Sequence, residues 1–281
     1  MKEYFISEID IEKLYHLSDI KIKLDSNKRQ HLLLTGKNGS GKTSLLLEIE
    51  KFLRAINDEK LSQVFDQYPT WINEAKKKVL SASSDSEKYA ADKDLKQCLG
   101  FLKKYSDGVQ INLNQYEGLE MMYHNGKFIT AYFPSERKAQ FMRPNGVENI
   151  TLENTYGIDE SAGDILLKYM VHLKTQQAYA RNEGDQTTAN QIQKWFDRFD
   201  SALQILLDEE SIHIEYDYKK YDFKIRQNGR EPFSFNELSD GYSSVIYIVS
   251  DLILRMDKNW LLEDKISDYD YQGIVLIDEL E

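Results

Sequence analysis

The segment Gly36-Lys37-Asn38-Gly39-Ser40-Gly41-Lys42-Thr43 follows the spacing G-x-x-x-x-G-K-[ST] without departure. Its residue types suit one task, the holding of a polyphosphate. Glycines let backbone N–H groups curl around phosphate oxygens. A helix that opens just after such a loop presents its positive end to them. Lys42 supplies a point charge for β and γ phosphates, and the Thr43 hydroxyl is a hard ligand for Mg2+. The expected nucleotide-binding residues are Gly36, Asn38, Gly39, Ser40, Gly41, Lys42, Thr43 and Ser44. A chance glycine-rich turn would need neither the lysine nor the flanking pattern described below.

Two adjacent acids stand late in the sequence. Ile274-Val275-Leu276-Ile277 is an apolar run that delivers Asp278 and Glu279 to its C-terminal end. Beside a phosphate loop, an acid at Asp278 holds Mg2+ through water, and an acid at Glu279 orients or deprotonates an attacking water. On its own the run would equally describe a buried strand followed by a polar turn. The phosphate loop upstream favours the chemical reading, with Lys42 and Glu279 as the catalytic pair and Thr43 and Asp278 as the metal ligands.

A third group, Asn236-Glu237-Leu238-Ser239-Asp240-Gly241-Tyr242-Ser243-Ser244, opens an apolar helical stretch. Ser239 suits the helix cap, and the free N–H groups behind it form an anion site. A plain cap would account for Ser, Asp and Gly equally well. The order of the three groups argues for more.

The elements that must position these residues follow from periodicity. Alternation at Phe5, Ile9 and Ile11, and again at Ile20, Ile22 and Leu24, predicts strands before the loop. His31–Thr35 reads as a short buried strand. Leu45, Leu46, Ile49, Phe52, Leu53 and Ile56 recur at helical spacing. Residues 57–108 are polar and helical, broken at Pro69 and 81–86, and read as an insertion. Within 109–160, Val109–Asn114 and Leu119–Ala131 are expected as strands, followed by loop. Residues 161–208 predict a helical hairpin broken at Asn182–Asp185. Residues 209–281 hold paired strands, a turn at Asn228-Gly229, the helix after Ser239 and the closing strand. The whole reads as one α/β domain, with 1–56 carrying the first strands, the loop and its helix.

Composition sets the class. The chain has 281 residues, a net charge of −11 and 30% charged residues, which suits a charged globular protein and disfavours a non-specific DNA binder. Lys76–Lys78 and Lys103-Lys104 form local basic runs that read first as solvated helix faces and second as a nucleic-acid face. The single cysteine, Cys98, excludes an internal disulfide and a cysteine-rich zinc site, and fits a reducing, cytoplasmic setting. No apolar run reaches membrane-spanning length, and MKEYFISEID has no signal-peptide core.

Taken in order, GKNGSGKT, LSDGY and IVLIDE resemble the core of the ABC-type P-loop ATPases, specifically the RecF/SMC-like group. Within it the architecture is similar to the ATPase heads of overcoming-lysogenization-defect, Septu and retron-associated defence proteins. The resemblance implies an α/β P-loop NTPase of ABC type with a mixed sheet core, a helical insertion and a helical-hairpin subdomain. It implies ATP and Mg2+ as cofactors and hydrolysis as the reaction. It implies a second head as partner, with Ser239 and Gly241 reaching the γ-phosphate of the partner's ATP. Asp240 departs from the family's LSGGQ pattern, where a glycine stands. Ala131–Arg137 looks like the strand-to-loop junction of the family's glutamine loop, which makes Gln140 the implied metal and water contact and leaves Arg137 between a phosphate or partner contact and a surface charge. The family continues past the acids with a strand ending in a switch histidine, so the expectation is a longer native chain or a second subunit. A nuclease or other effector in anti-phage defence is the implied output. The alternatives are a DNA-repair or chromosome-maintenance ATPase, which would bind nucleic acid, and an ATP-gated scaffold with little turnover.

Overall fold

In Ile6–Leu14 (β1) the buried positions Ile9, Ile11 and Leu14 face a core, while Glu8 and Asp10 face outward. Strand β1 pairs antiparallel with Leu17–Lys23 (β2) on one side and with Val109–Leu113 (β3) on the other, so the sheet order is β2-β1-β3. Across the first pair, Lys21 bridges Asp10 at 2.7 Å and Glu8 at 3.3 Å. The computed structural model describes residues 2–136, 141–257 and 271–279. Among them it is mixed α/β with three small sheets.

The chain divides into two compact units. The first comprises Met1–Tyr132, Gly157–Asp159 and Tyr271–Asp278, and the second Phe133–Tyr156, Glu160–Asp270 and Glu279–Glu281. In the first, helix α1 (Lys42–Asn57) packs its apolar face on the sheet. Phe52, Leu53 and Ile56 are essentially inaccessible and join Ile9, Ile11, Ile111 and Phe128 in one cluster. Each such side chain contributes about 1.5–3 kcal/mol when fully buried. A π-helical turn at Gln63–Gln67 leads into α2 (Tyr68–Ser81), whose Pro69 lies in the first turn, where its missing N–H costs nothing. Helix α3 (Asp85–Leu102) packs back on α2 and is capped by the Ser84 side chain, which accepts from the Glu87 N–H. Residues 57–108 are therefore largely helical, as their pattern predicts. Strands β4 (Phe128–Phe133) and β8 (Gln272–Ile277) pair in a two-stranded sheet. They approach so closely that a β-carbon on Gly273 would lie 2.5 Å from the Ile129 carbonyl oxygen.

The second unit holds the expected helical hairpin, α5 (Leu166–Asn182) and α6 (Gln186–Leu207). The break falls at Gly184, with φ +80°, and Asp185 caps α6 by accepting from the Thr188 N–H at 3.0 Å. Strands β5 (His213–Asp217), β6 (Asp222–Arg226) and β7 (Phe233–Ser234) form an antiparallel sheet. Trp195 stacks on Phe199 within α6, Phe196 of α6 stacks on Phe223 of β6, and Phe199 lies tilted against Phe235 just after β7. Helix α7 (Asp240–Asp257) carries a buried ion pair, Arg255 Nε to Asp251 Oδ1 at 2.5 Å.

Two expectations are corrected. His31–Thr35 is not a strand. Among the described residues no strand pairs with it, since β4 and β8 pair with each other, and Leu32 and Leu33 are left exposed. A short apolar run satisfies its backbone as a strand only where a neighbouring edge is offered. Leu119–Ala131 is not one strand either. Leu119–His124 is a helix (α4), opened by Gly118 in the left-handed region at φ +89°, and only then does β4 begin. Leu, Glu and Met are strong helix formers, and their apolar alternation was no match for that local preference.

Candidate functional site

The phosphate-loop residues stand where a helix begins. Gly41 is the cap of α1 at φ +92°, and Gly39 lies at φ +77°. Both are conformations that L side chains rarely adopt. The loop is closed by the Ser40 N–H donating to the Lys37 carbonyl at 3.1 Å, and the helix opens with the Leu45 N–H donating to the Gly41 carbonyl at 2.9 Å. The Lys42 ammonium folds back over the loop, donating to the Gly36 carbonyl at 2.8 Å and the Lys37 carbonyl at 3.3 Å. No acid occupies the first turn of α1, so its positive end is uncompensated. Thr43 is exposed and Ser44 half-buried at that end, while Leu45 and Ile49 anchor the helix below.

Asp278 and Glu279 follow β8. Leu276 joins the same core cluster as Leu45 and Ile49, with Ile274 and Leu34 packed against it. One apolar core therefore anchors both the helix behind the loop and the strand that leads to the acids. Asp278 is 3% exposed, a carboxylate with little water around it. Glu279 is exposed and takes φ +53°, which is uncommon for a residue with a β-carbon. Among the described residues no three His, Cys, Asp or Glu side chains converge into a metal cage. One carboxylate and one hydroxyl are the donor set that Mg2+ accepts when phosphates complete its shell.

A part of this site that periodicity did not indicate is the β1–β2 turn. A β-carbon on Gly41 would lie 2.9 Å from Leu17 Cδ1 and 3.6 Å from His16 Cε1. His16 thus stands beside the loop, and the exposed Tyr15 before it takes φ +51°. Their only sequence signal was an aromatic pair at a strand-to-strand turn.

The third group lies in the second unit. Ser239, Asp240, Gly241 and Tyr242 are all exposed, and Asp240 is the first residue of α7. The Ser239 carbonyl accepts from the Ser243 N–H at 2.9 Å, the bonding of a cap residue. Asp240 complements the positive end of α7 and so weakens it as an anion site. The turn before it is a capping box, in which the Ser234 N–H donates to Glu237 Oε2 at 2.5 Å and the Ser234 side chain bonds the Glu237 backbone. That bond from Ser234 holds the Glu237 carboxyl below its usual range.

Arg137 and Gln140 lie outside the described residues. Lys76–Lys78 are exposed on α2, and Lys103 is offset by Asp107 at 3.6 Å. Cys98 is a half-buried thiol on α3. No helix among the described residues is long and apolar enough to cross a membrane. Neither the known protein-family models nor the curated proteins compared with the chain give a match.

Proposed function

We propose that the chain binds ATP with Mg2+ on Gly36–Ser44 and uses it as a dimerisation switch of the ABC type. The observation that carries this reading is the loop itself: two glycines at positive φ, an uncompensated helix end and a lysine folded over the loop carbonyls. Phosphate oxygens would replace those carbonyls as partners of the Lys42 ammonium. Backbone N–H groups at the start of α1 would bind the same oxygens with no acid to repel them.

Thr43 and Asp278 would hold the metal, which neutralises phosphate charge when bound. Glu279 would orient the attacking water and accept its proton. Gln140 is proposed as a further water contact. Ser239 and Gly241, exposed at the head of α7, would meet the nucleotide of a second copy, and Asp240 would have to point away from it or meet a cation. The proposed output is control of an effector such as a nuclease in antiviral defence. A scaffold role with little turnover is the second reading, and Asp240 favours it, because an acid at the trans contact weakens closure.

The test is calorimetric titration of the chain with ATP, with and without Mg2+, alongside Lys42→Ala. Saturable binding that strengthens with Mg2+ and fails with Lys42→Ala supports the reading. Equal affinity in Lys42→Ala overturns it.

A further inference from the structure

Phe141 and Met142 are held to the signature helix α7 and the turn before it by two separate devices. In the first, the Asn236 side chain bonds both backbone groups of Phe141. The Phe141 N–H donates to Asn236 Oδ1, and Asn236 Nδ2 donates to the Phe141 carbonyl, each at 3.3 Å. A carboxamide is the one short side chain that donates and accepts side by side, so it can pair with a backbone as a strand would. In the second, the Met142 N–H donates to the Asp164 carbonyl at 3.2 Å, and the Asp164 carboxylate accepts from the Tyr247 hydroxyl on α7 at 2.7 Å. Burial pushes the Tyr247 phenol up, so it stays a donor. The Phe141 ring is 3% exposed, packed edge-on against Phe235 and tilted against Tyr247.

The segment Asp164 belongs to is itself fixed to α7. The Gly163 N–H donates to Asp251 Oδ2 at 2.9 Å, and the Arg255 guanidinium bonds the Glu160 carbonyl. A β-carbon on Gly163 would lie 3.2 Å from both Asp251 Cβ and Tyr247 Cε2, so a larger residue would force the contact open. The capping box at Ser234–Glu237 stiffens the turn that bears Asn236 and runs directly into Ser239.

We propose that Asn236 and Tyr247 are positioning residues, which lock residues 141–142 to the signature turn so that Ser239 is presented in one fixed geometry. The inference rests on the ATP-switch reading and deepens it. Neither residue touches the nucleotide in this account. Both act through the orientation of the turn. Losing the set of bonds should loosen the turn by at least about tenfold in equilibrium terms.

The experiment compares wild type with Asn236→Leu, Tyr247→Phe and the double variant. Leu keeps the branched shape of Asn without its bonds, and Phe removes only the hydroxyl. Three quantities are read: amide hydrogen exchange at 141–142 and 240–243, affinity for ATP with Mg2+, and the ATP-dependent increase in mass by light scattering. In the double variant, exchange at both segments is expected to quicken by at least about tenfold, ATP affinity to hold within about twofold, and ATP-dependent association to weaken by about tenfold. Tyr247→Phe alone should give an intermediate result. Unchanged exchange overturns the lock. Faster exchange with undiminished association overturns the positioning role. Association and ATP affinity falling together with the melting temperature mean the residues serve the fold alone, and also overturn it. A wild-type chain that binds no ATP removes the switch reading, while the exchange rates still decide the lock.

Discussion

Gly41 of the glycine-rich loop packs against Leu17, the first residue of β2: a β-carbon there would lie 2.9 Å from Leu17 Cδ1, so the Leu17 side chain would have to shift to admit one. The same residue holds φ +92° and caps α1. Two requirements for glycine therefore coincide where the loop becomes helix. Gly39, at φ +77°, has only the conformational one, since a β-carbon there meets nothing within 4 Å.

This difference gives an ordered prediction. Gly39→Ala should cost about 1–2 kcal/mol, the penalty for a left-handed L residue. Gly41→Ala should cost more, because Leu17 must also move, and ATP affinity should fall with it. Leu17→Ala placed with Gly41→Ala should recover the steric part and leave the conformational part. Denaturant melts and ATP titration of the four proteins check the order. Equal effects at Gly39 and Gly41 would contradict it.

Lys42→Ala should leave the melting temperature nearly unchanged, since its ammonium bonds only two exposed loop carbonyls. Its ATP affinity should fall by about 10- to 100-fold, the range for hydrogen bonds to a charged group. Thermal melts with and without ATP separate the two effects, and nucleotide stabilisation should vanish in the variant.

The ion pair of α7 predicts strong coupling. Arg255→Met leaves the fully buried Asp251 uncompensated and should cost about 3–5 kcal/mol. Adding Asp251→Leu should cost less than the sum of the single changes, because the stranded charge is gone. A double-mutant cycle in denaturant reads this directly, and additive costs would contradict it.

Asp257 predicts a pH dependence. It is 4% exposed, and burial pushes its carboxyl from 3.8 to about 7, opposed by the neighbouring Tyr169 and Trp195 polar groups and by the Arg198 charge. The native state therefore holds the proton more tightly than the unfolded chain. Its contribution is fully present below about pH 4 and is lost as pH rises through about 7. Asp257→Asn should flatten stability across that window and be the more stable protein at pH 8. An unaltered pH profile in the variant would contradict the assignment.

The legible parts of the sequence were those with a local cause. The glycine loop, the helix after it, the break at Gly184 and the β5–β6 pair follow from turn chemistry and periodicity, and all are present. What was not legible depends on distant partners. His31–Thr35 has the composition of a buried strand, but no strand edge among the described residues pairs with it. Leu119–His124 is the exception, with a local cause: strong helix formers follow Gly118, and they outweigh the apolar alternation. His16 stands beside Gly41 only because the first hairpin folds onto the loop, and Asn236 bonds Phe141 across 95 residues of chain. No spacing rule reaches such pairs.

The most direct test of the switch is the solution mass of Glu279→Gln by light scattering, with and without ATP and Mg2+, and with Ser239→Arg added as the interface control. The account predicts a doubling of mass that needs both ATP and Mg2+ and is lost with Ser239→Arg. An unchanged mass at saturating, calorimetrically confirmed ATP would contradict it.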